Sequence, residues 1–309
     1  EIAENAAGSS LPSGIIDEIL ERADGNPLFL EEITRSLVEG GPTEASVAAI
    51  PATLHDSLIA RLDRLATEKD IAQIAAVIGR TFQVDLLVAA SGQSDSDVED
   101  ALSKLVTAGI IFELPSARQH TYEFKHALIR DAAYDSLTKA ARANYHHRVA
   151  ECLEEHFPEI GETDPGLVAQ HFIAAGVPDR SVRYLLQAGQ IAHARFALVA
   201  AAGYLRRGLE TINNQPPSHD RDLNELPLQA ALGATLNALD GYAAPTTEEA
   251  YERAHALLHL TDDLNLKESV LSGLLALYYN QSDLPRFQII ANEKLAYAEA
   301  ANDDQLLCN

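Results

Sequence analysis

IIFELPSARQHTYEFKHALIRDAAYDSL, Ile110–Leu137, is the stretch whose reading decides the fold. Ile110, Ile111, Phe112 and Leu114 form a short apolar, partly β-branched run, and Pro115, Ser116 and Ala117 interrupt it. Thr121, Tyr122 and Phe124 then alternate with Glu123 and Lys125. Two such runs around a polar turn predict a β-hairpin. Ala127, Leu128, Ala132 and Leu137 follow at helical spacing, so helix resumes at His126. A lone hairpin is marginal in water and needs helices to pack against. The stretch therefore reads as the wing of a small helical domain, with His126 at the corner between wing and helix.

Upstream, the apolar spacing predicts helices in series. Leu54, Leu58, Ile59, Leu62 and Leu65 share one helix face, with Arg61 and Arg64 beside it, expected to form surface ion pairs with Asp63 and Glu68. Ile71, Ile74, Ala75 and Ile78 are the buried face of the next helix. Phe82 begins a short connection to a helix over 84–90. Ser94 caps a further helix over 94–108, closed by Gly109. Three helices followed by a wing is the order of a winged helix.

Nearer the start, Ser13–Ala23 has helical period. Asn26 is suited to N-cap a second helix, with Pro27 at its first position, where a missing N–H costs nothing. Glu31 and Glu32 lie near the positive end of that helix dipole and read as solvated carboxylates. Residues 41–50 form a linker of small residues.

After the wing the chain reads as wholly helical. Helices over 127–138, 140–157 and 165–175 precede helix pairs at 179–195 with 198–213, 223–240 with 246–261, and 266–281 with 284–301. Aligning the second helix of each pair brings Tyr204, Tyr251 and Phe287 into register. The offsets of about 47 and 36 residues are those of degenerate tetratricopeptide-like repeats, whose apolar sides need neighbouring hairpins to cover them. The fold class is thus mainly α: helices, a winged helix with one hairpin, then a tetratricopeptide-like α-α superhelix.

Composition narrows function. A net charge of −23 on 309 residues disfavours a partner recognised through its phosphates or an anionic membrane surface. The helix over 94–108, the usual DNA reader of a winged helix, carries Asp95, Asp97, Glu99 and Asp100 against Lys104 alone. No nucleic-acid or membrane partner is expected. No apolar run reaches the ~20 residues that span a bilayer, and Cys152 and Cys308 lack metal-ligand spacing, so a cytoplasmic setting with reduced thiols is expected. No G-x-x-x-x-G-K-[ST], G-x-S-x-G, H-E-x-x-H or C-x-x-C occurs, so the chain reads as non-catalytic. His146 and His147 are adjacent on a helix and read as solvated or core-edge histidines. With no Met and Glu1 at its start, the sequence is expected to be a piece of a longer protein.

The ordered motifs Gly25-Asn26-Pro27-Leu28-Phe29-Leu30-Glu31-Glu32, Ile50-Pro51-Ala52-Thr53-Leu54, Arg61-Leu62-Asp63-Arg64-Leu65, Ala75–Phe82, Phe124–Tyr134 and Tyr145–Ala150 resemble STAND-type signalling ATPases. The resemblance covers roughly residues 10–215. It is to the part after the nucleotide-binding core in bacterial multidomain regulators, which join an adenylate/guanylate cyclase, a LuxR-type DNA-binding domain or a protein kinase. It implies a helical lid segment of the ATPase module at 1–45, a winged helix at 46–138, a helical connector at 139–176 and repeats at 177–309. It further implies that Pro27 packs near the adenine, and that His126 faces the phosphates, of ATP or ADP held by the parent's upstream core. No cofactor is expected in this chain alone. The implied role is regulatory, with a protein or peptide on the repeat surface and oligomerisation in the active parent. Membership of a cyclase or kinase polypeptide, or of a LuxR-type transcription regulator, is the alternative. From the residues themselves, Pro27 is fully explained as a helix start, and His126 as capping or supporting the helix after the wing.

Overall fold

The computed structural model describes residues 23, 26–40, 53–65, 68–115, 120–242 and 244–301. The helix from Ser13 (apart from Ala23), Gly25, the 41–50 linker, Pro51, the turn at Ser116 and Ala117, and Cys308 lie outside them. The described residues form 15 α-helices and a three-stranded antiparallel sheet. Contacts divide the chain into two compact units, Glu1–Cys152 and Leu153–Asn309.

In the first unit, α1 (Pro27–Gly40) packs on α2 (Leu54–Asp63). Asn26 caps α1 as expected, its Oδ1 accepting from the Phe29 N–H at 3.2 Å. Thr53 caps α2, its hydroxyl accepting from the Asp56 N–H at 3.1 Å. The centre of the unit is α3 (Glu68–Ile78), in which every residue from Ile71 to Val77 is buried. A helix covered on all sides is apolar all round, and its one amide, Gln73, is satisfied by the Ser136 hydroxyl at 2.8 Å. Around it pack α4 (Val84–Ser91), α5 (Asp95–Thr107) and α6 (Ala127–Asp135). Gly92 at φ 66° ends α4, and Ser94 caps α5 by accepting from the Asp97 N–H at 3.2 Å.

The wing differs from the expected two-stranded hairpin. Strands β2 (Ile111–Leu114) and β3 (Thr121–Phe124) pair as anticipated, Ile111 opposite Phe124 and Leu114 opposite Thr121. A third strand, β1 (Thr81–Gln83), adds to the other edge of β3, giving the order β1-β3-β2. The stretch read as a connection at Phe82 is therefore part of the sheet. The cause is tertiary: Phe82 is buried against the rings of Tyr122 and Phe124, at 6.2 and 5.7 Å between centroids. Pairing also satisfies an edge that would otherwise present bare backbone groups. Helix, strand, two helices and a hairpin make this unit a winged helix.

Helix α7 (Lys139–Glu155) crosses the division between units. The second unit is all helical. Helix α8 (Pro158–Thr163) is short. The others are α9 (Pro165–Ala174), α10 (Pro178–Ala194), α11 (Leu198–Asn213), α12 (His219–Asp240), α13 (Pro245–Leu257), α14 (Leu264–Asn280) and α15 (Leu284–Ala301). Each helix from α9 packs on the next, and α12 also touches α10 and α14. Successive hairpins thus stack through their first helices, the packing expected of repeats. Arg253 of α13 grips the buried Glu225 of α12 with two hydrogen bonds of 2.7 Å, which holds that carboxyl below its usual range.

The aligned aromatics do not share one environment. Tyr251 is buried, while Tyr204 and Phe287 are partly covered. Tyr251 lies against Gly233 of α12 and Gly273 of α14, and a methyl group at either glycine would overlap its ring. The two glycines let successive first helices close over one aromatic ring. Gly273→Ala is expected to lower the unfolding free energy by ~1–3 kcal/mol, read by urea denaturation. An unchanged midpoint would show that the ring has room to move aside.

Candidate functional site

The corner between β3 and α6 is built from short polar links. His126 holds the N-cap position of α6 at φ −138°, ψ 144°, yet its side chain makes no capping hydrogen bond. The capping explanation of this residue is thereby removed. Its Nε2 is buried and has no hydrogen-bond partner among the described residues. Burial holds the imidazole below its ordinary pKa. The positive charge of Lys125, and less strongly that of Arg80, acts in the same sense, while the Glu31 carboxylate opposes. At neutral pH the ring is uncharged and, in its Nε2–H form, has one N–H to donate.

Lys125 reaches from this corner to α1. Its ammonium donates to Glu31 Oε1 at 2.7 Å, and Arg35 donates to the same oxygen at 3.1 Å. These contacts, the Lys125 hydrogen bond foremost, hold the Glu31 carboxyl below its usual range despite partial burial. Pro27 sits one turn before Glu31 on the same helix and is exposed. The connection between the two residues singled out by sequence, Pro27 and His126, therefore runs through Glu31 and Lys125.

A second link lies deeper and overturns an expectation. Arg61 is not at the surface with Asp63 or Glu68. It is 4% exposed, and its guanidinium donates to Glu32 Oε2 at 2.5 Å and to the Ala108 carbonyl. Glu32 is 3% exposed and so is not a solvated carboxylate. Asp63 instead takes Lys69, and Glu68 takes Lys104. The Ala108 carbonyl accepts a further bond from Arg35 at 3.2 Å. Gly109, at φ 66°, turns the chain there, and a Cβ would strike the Arg35 guanidinium. The end of α5 is thus fastened to α1 and α2 together. The signal for Arg61 was present in the sequence: Leu54, Leu58 and Arg61 fall on one stripe of α2, which Leu65 continues just past its end.

His146 is also more buried than expected, at 5% exposure, and the Tyr134 hydroxyl lies 2.9 Å from its Nε2. Burial, followed by the charges of Arg142 and Arg130, pushes its pKa down to about 4. His147 turns away to Glu151 at 3.1 Å. Among the described residues no group of three or more His, Cys, Asp or Glu is placed to hold a metal ion, and no helix is long and apolar enough to cross a membrane. On α5, Asp95, Asp97, Glu99 and Asp100 are all exposed.

The repeats offer a second candidate, a groove of about 250 Å³ on the first helices of successive pairs. His193 of α10, Ala231 and Thr235 of α12, and Leu266 and Ser269 of α14 line it, with His193 Nδ1 3.1 Å from the Thr235 hydroxyl.

No protein-family model matches the chain. Over 242 residues, 76% of its length, it is 26% identical to an uncharacterized protein of Rhizobium meliloti (strain 1021), covering 24% of that protein. The chain spans about a quarter of the length of the curated relative it matches. Among solved structures it is similar to a Signal Transduction ATPase with Numerous Domains (STAND) protein with a tetratricopeptide repeat sensor from Pyrococcus horikoshii. That likeness has a TM-score of 0.35 and 10% identity, over 98% of this chain and 54% of that one.

The buried pair yields a prediction. Arg61→Met or Glu32→Leu alone is expected to cost roughly 3–5 kcal/mol, because each strands a buried charge. The double variant should lose less than the sum, with a coupling of at least ~1 kcal/mol in the urea transition of the first unit. Additive losses would mean that the two side chains do not stabilise each other.

Proposed function

We propose that this chain is the regulatory and protein-interaction portion of a STAND-type signalling ATPase, coupling nucleotide state to an output domain elsewhere in the parent. The observation that carries the reading is the His126 side chain: half-buried, uncapping, its Nε2 covered and without a hydrogen-bond partner among the described residues, and held beside a wing fastened to the helix that begins at Pro27. The ordered sequence motifs support it independently.

The fit to a nucleotide is specific but small. The groups of this chain that would serve are the Nε2–H of His126, which would donate to a phosphate oxygen, and the ring of Pro27, which would pack beside the base. Bound ADP, held chiefly by the upstream core, would supply anionic phosphate oxygens as acceptors. The depressed pKa of His126 is consistent with a site awaiting a negative charge. In the ADP state the wing would close on the core. Loss of that contact, or a ligand on the repeats, would shift the population toward an open and oligomerising state. The groove along α10, α12 and α14 is the surface we assign to a protein or peptide partner. Neither nucleic acid nor membrane is assigned as a partner, and a cytoplasmic setting accords with that.

In the full-length parent, His126→Ala is expected to lower ADP retention by roughly 10-fold or more, the effect of one lost charge-assisted hydrogen bond, and to raise basal output. Nucleotide extracted from the purified protein reports the first. In NMR titration the His126 ring should titrate below its ordinary range without nucleotide and move upward when ADP is added, because an adjacent anion favours the imidazolium form. Unchanged nucleotide content in the variant, or an unshifted ring, would remove the sensing role.

A further inference from the structure

A groove of about 740 Å³ runs between α4, α5 and the wing. Its floor is apolar, formed by Val84, Val88 and Val106, the last of them 40% exposed. Its rim is acidic: Asp85 from α4, Asp95 and Glu99 from α5, and Glu113 from β2, all exposed. Among the described residues no lysine or arginine lines it. The one lysine of α5, Lys104, is committed to Glu68 at 2.5 Å and does not line the groove. The basic group that does, His120, is held by Glu113 at 3.3 Å.

We propose that this groove docks a basic amphipathic peptide segment, its apolar residues on the valine floor and its Lys or Arg heads on the four rim carboxylates. Three features choose this occupant over others. The carboxylates are spread around the rim and are not gathered where one ion would sit, since no three acidic or histidine side chains among the described residues are placed to share a metal. Spaced cations on one chain match that spread. The floor suits both apolar residues and the alkyl stems of Lys and Arg, whose heads stay at the rim. The same carboxylates repel a phosphate backbone, so the face used by winged helices to read DNA is here inverted in sign. The Tyr122 hydroxyl, pushed up by burial and then by Glu113 and Glu99, reports the same negative field. The proposal does not depend on the nucleotide role of His126.

The test uses the whole chain and a fluorescent synthetic helix of Leu and Lys about 18 residues long, five turns. A counterpart with Glu for Lys and a DNA duplex serve as controls. The Leu/Lys helix should bind, with salt weakening it, and the controls should not. Neutralising the rim with Asp95→Asn, Glu99→Gln and Glu113→Gln should weaken binding about 10-fold or more, whereas the same charge change at the exposed Glu210, Asp240 and Glu249 of the repeats should change it less than about 2-fold. Val106→Lys, which puts a cation on the floor, should weaken it as well. Equal effects of the two triple variants would show charge attraction without a site and overturn the proposal. So would failure of the Leu/Lys helix to bind, or binding of duplex DNA that the rim variants abolish.

Discussion

The carbonyl of Ala108 is the point on which the first unit turns. It ends α5, just before the chain reverses through Gly109 into the wing, and it accepts hydrogen bonds from both Arg35 and Arg61. Arg61 in turn neutralises the buried Glu32. A buried charge is tolerated only when paired and hydrogen-bonded, so each member of this set requires the others. Because the set draws on α1, α2 and the end of α5, it converts three separately folded helices into one body. The wing inherits its position from it, and His126 inherits its position from the wing.

The second unit is held by a different means. Its cohesion is close contact between apolar helices, with Val182, Leu205, Leu228 and Leu236 in one cluster and Tyr251, Leu271, Leu274 and Ile290 in the next. Where first helices approach, glycines take the space a side chain would need, as Gly233 and Gly273 do around Tyr251. Burial pushes the pKa of that tyrosine up to about 12. Such a stack is built from neighbour contacts, so its groove on α10, α12 and α14 can vary in its small lining residues without loss of the scaffold.

What was legible in the sequence follows from these two kinds of cohesion. Periodic apolar faces reveal themselves, by alternation in strands and at 3.6-residue spacing in helices, so the hairpin, the helices before it and the paired helices after it were all readable. Strand β1 was not, because three residues carry no period, and only the rings of Tyr122 and Phe124 make Phe82 a strand residue. The winged-helix corner was readable as a place, while the behaviour of His126 was not, since capping and non-capping histidines look alike in sequence. Arg61 and Glu32 were misread for a related reason. Their partners are distant in sequence, and a charged side chain on an apolar stripe looks like a surface residue until a buried counter-charge is brought to it, although the position of Arg61 between Leu58 and Leu65 points inward.

The central claim, that helix α1 and the wing form one cooperative body through the Ala108 lock, is tested most directly by native-state hydrogen exchange. The amides of Ile33 and Thr34 in α1 and those of Ile110 and Lys125, hydrogen-bonded to the carbonyls of Leu105 and Ile110 at the base of the wing, should open with the same free energy and the same denaturant dependence. Amides of α1 opening at a free energy lower by ~2 kcal/mol or more, while the wing stays protected, would mark α1 as a separate unit and contradict the account.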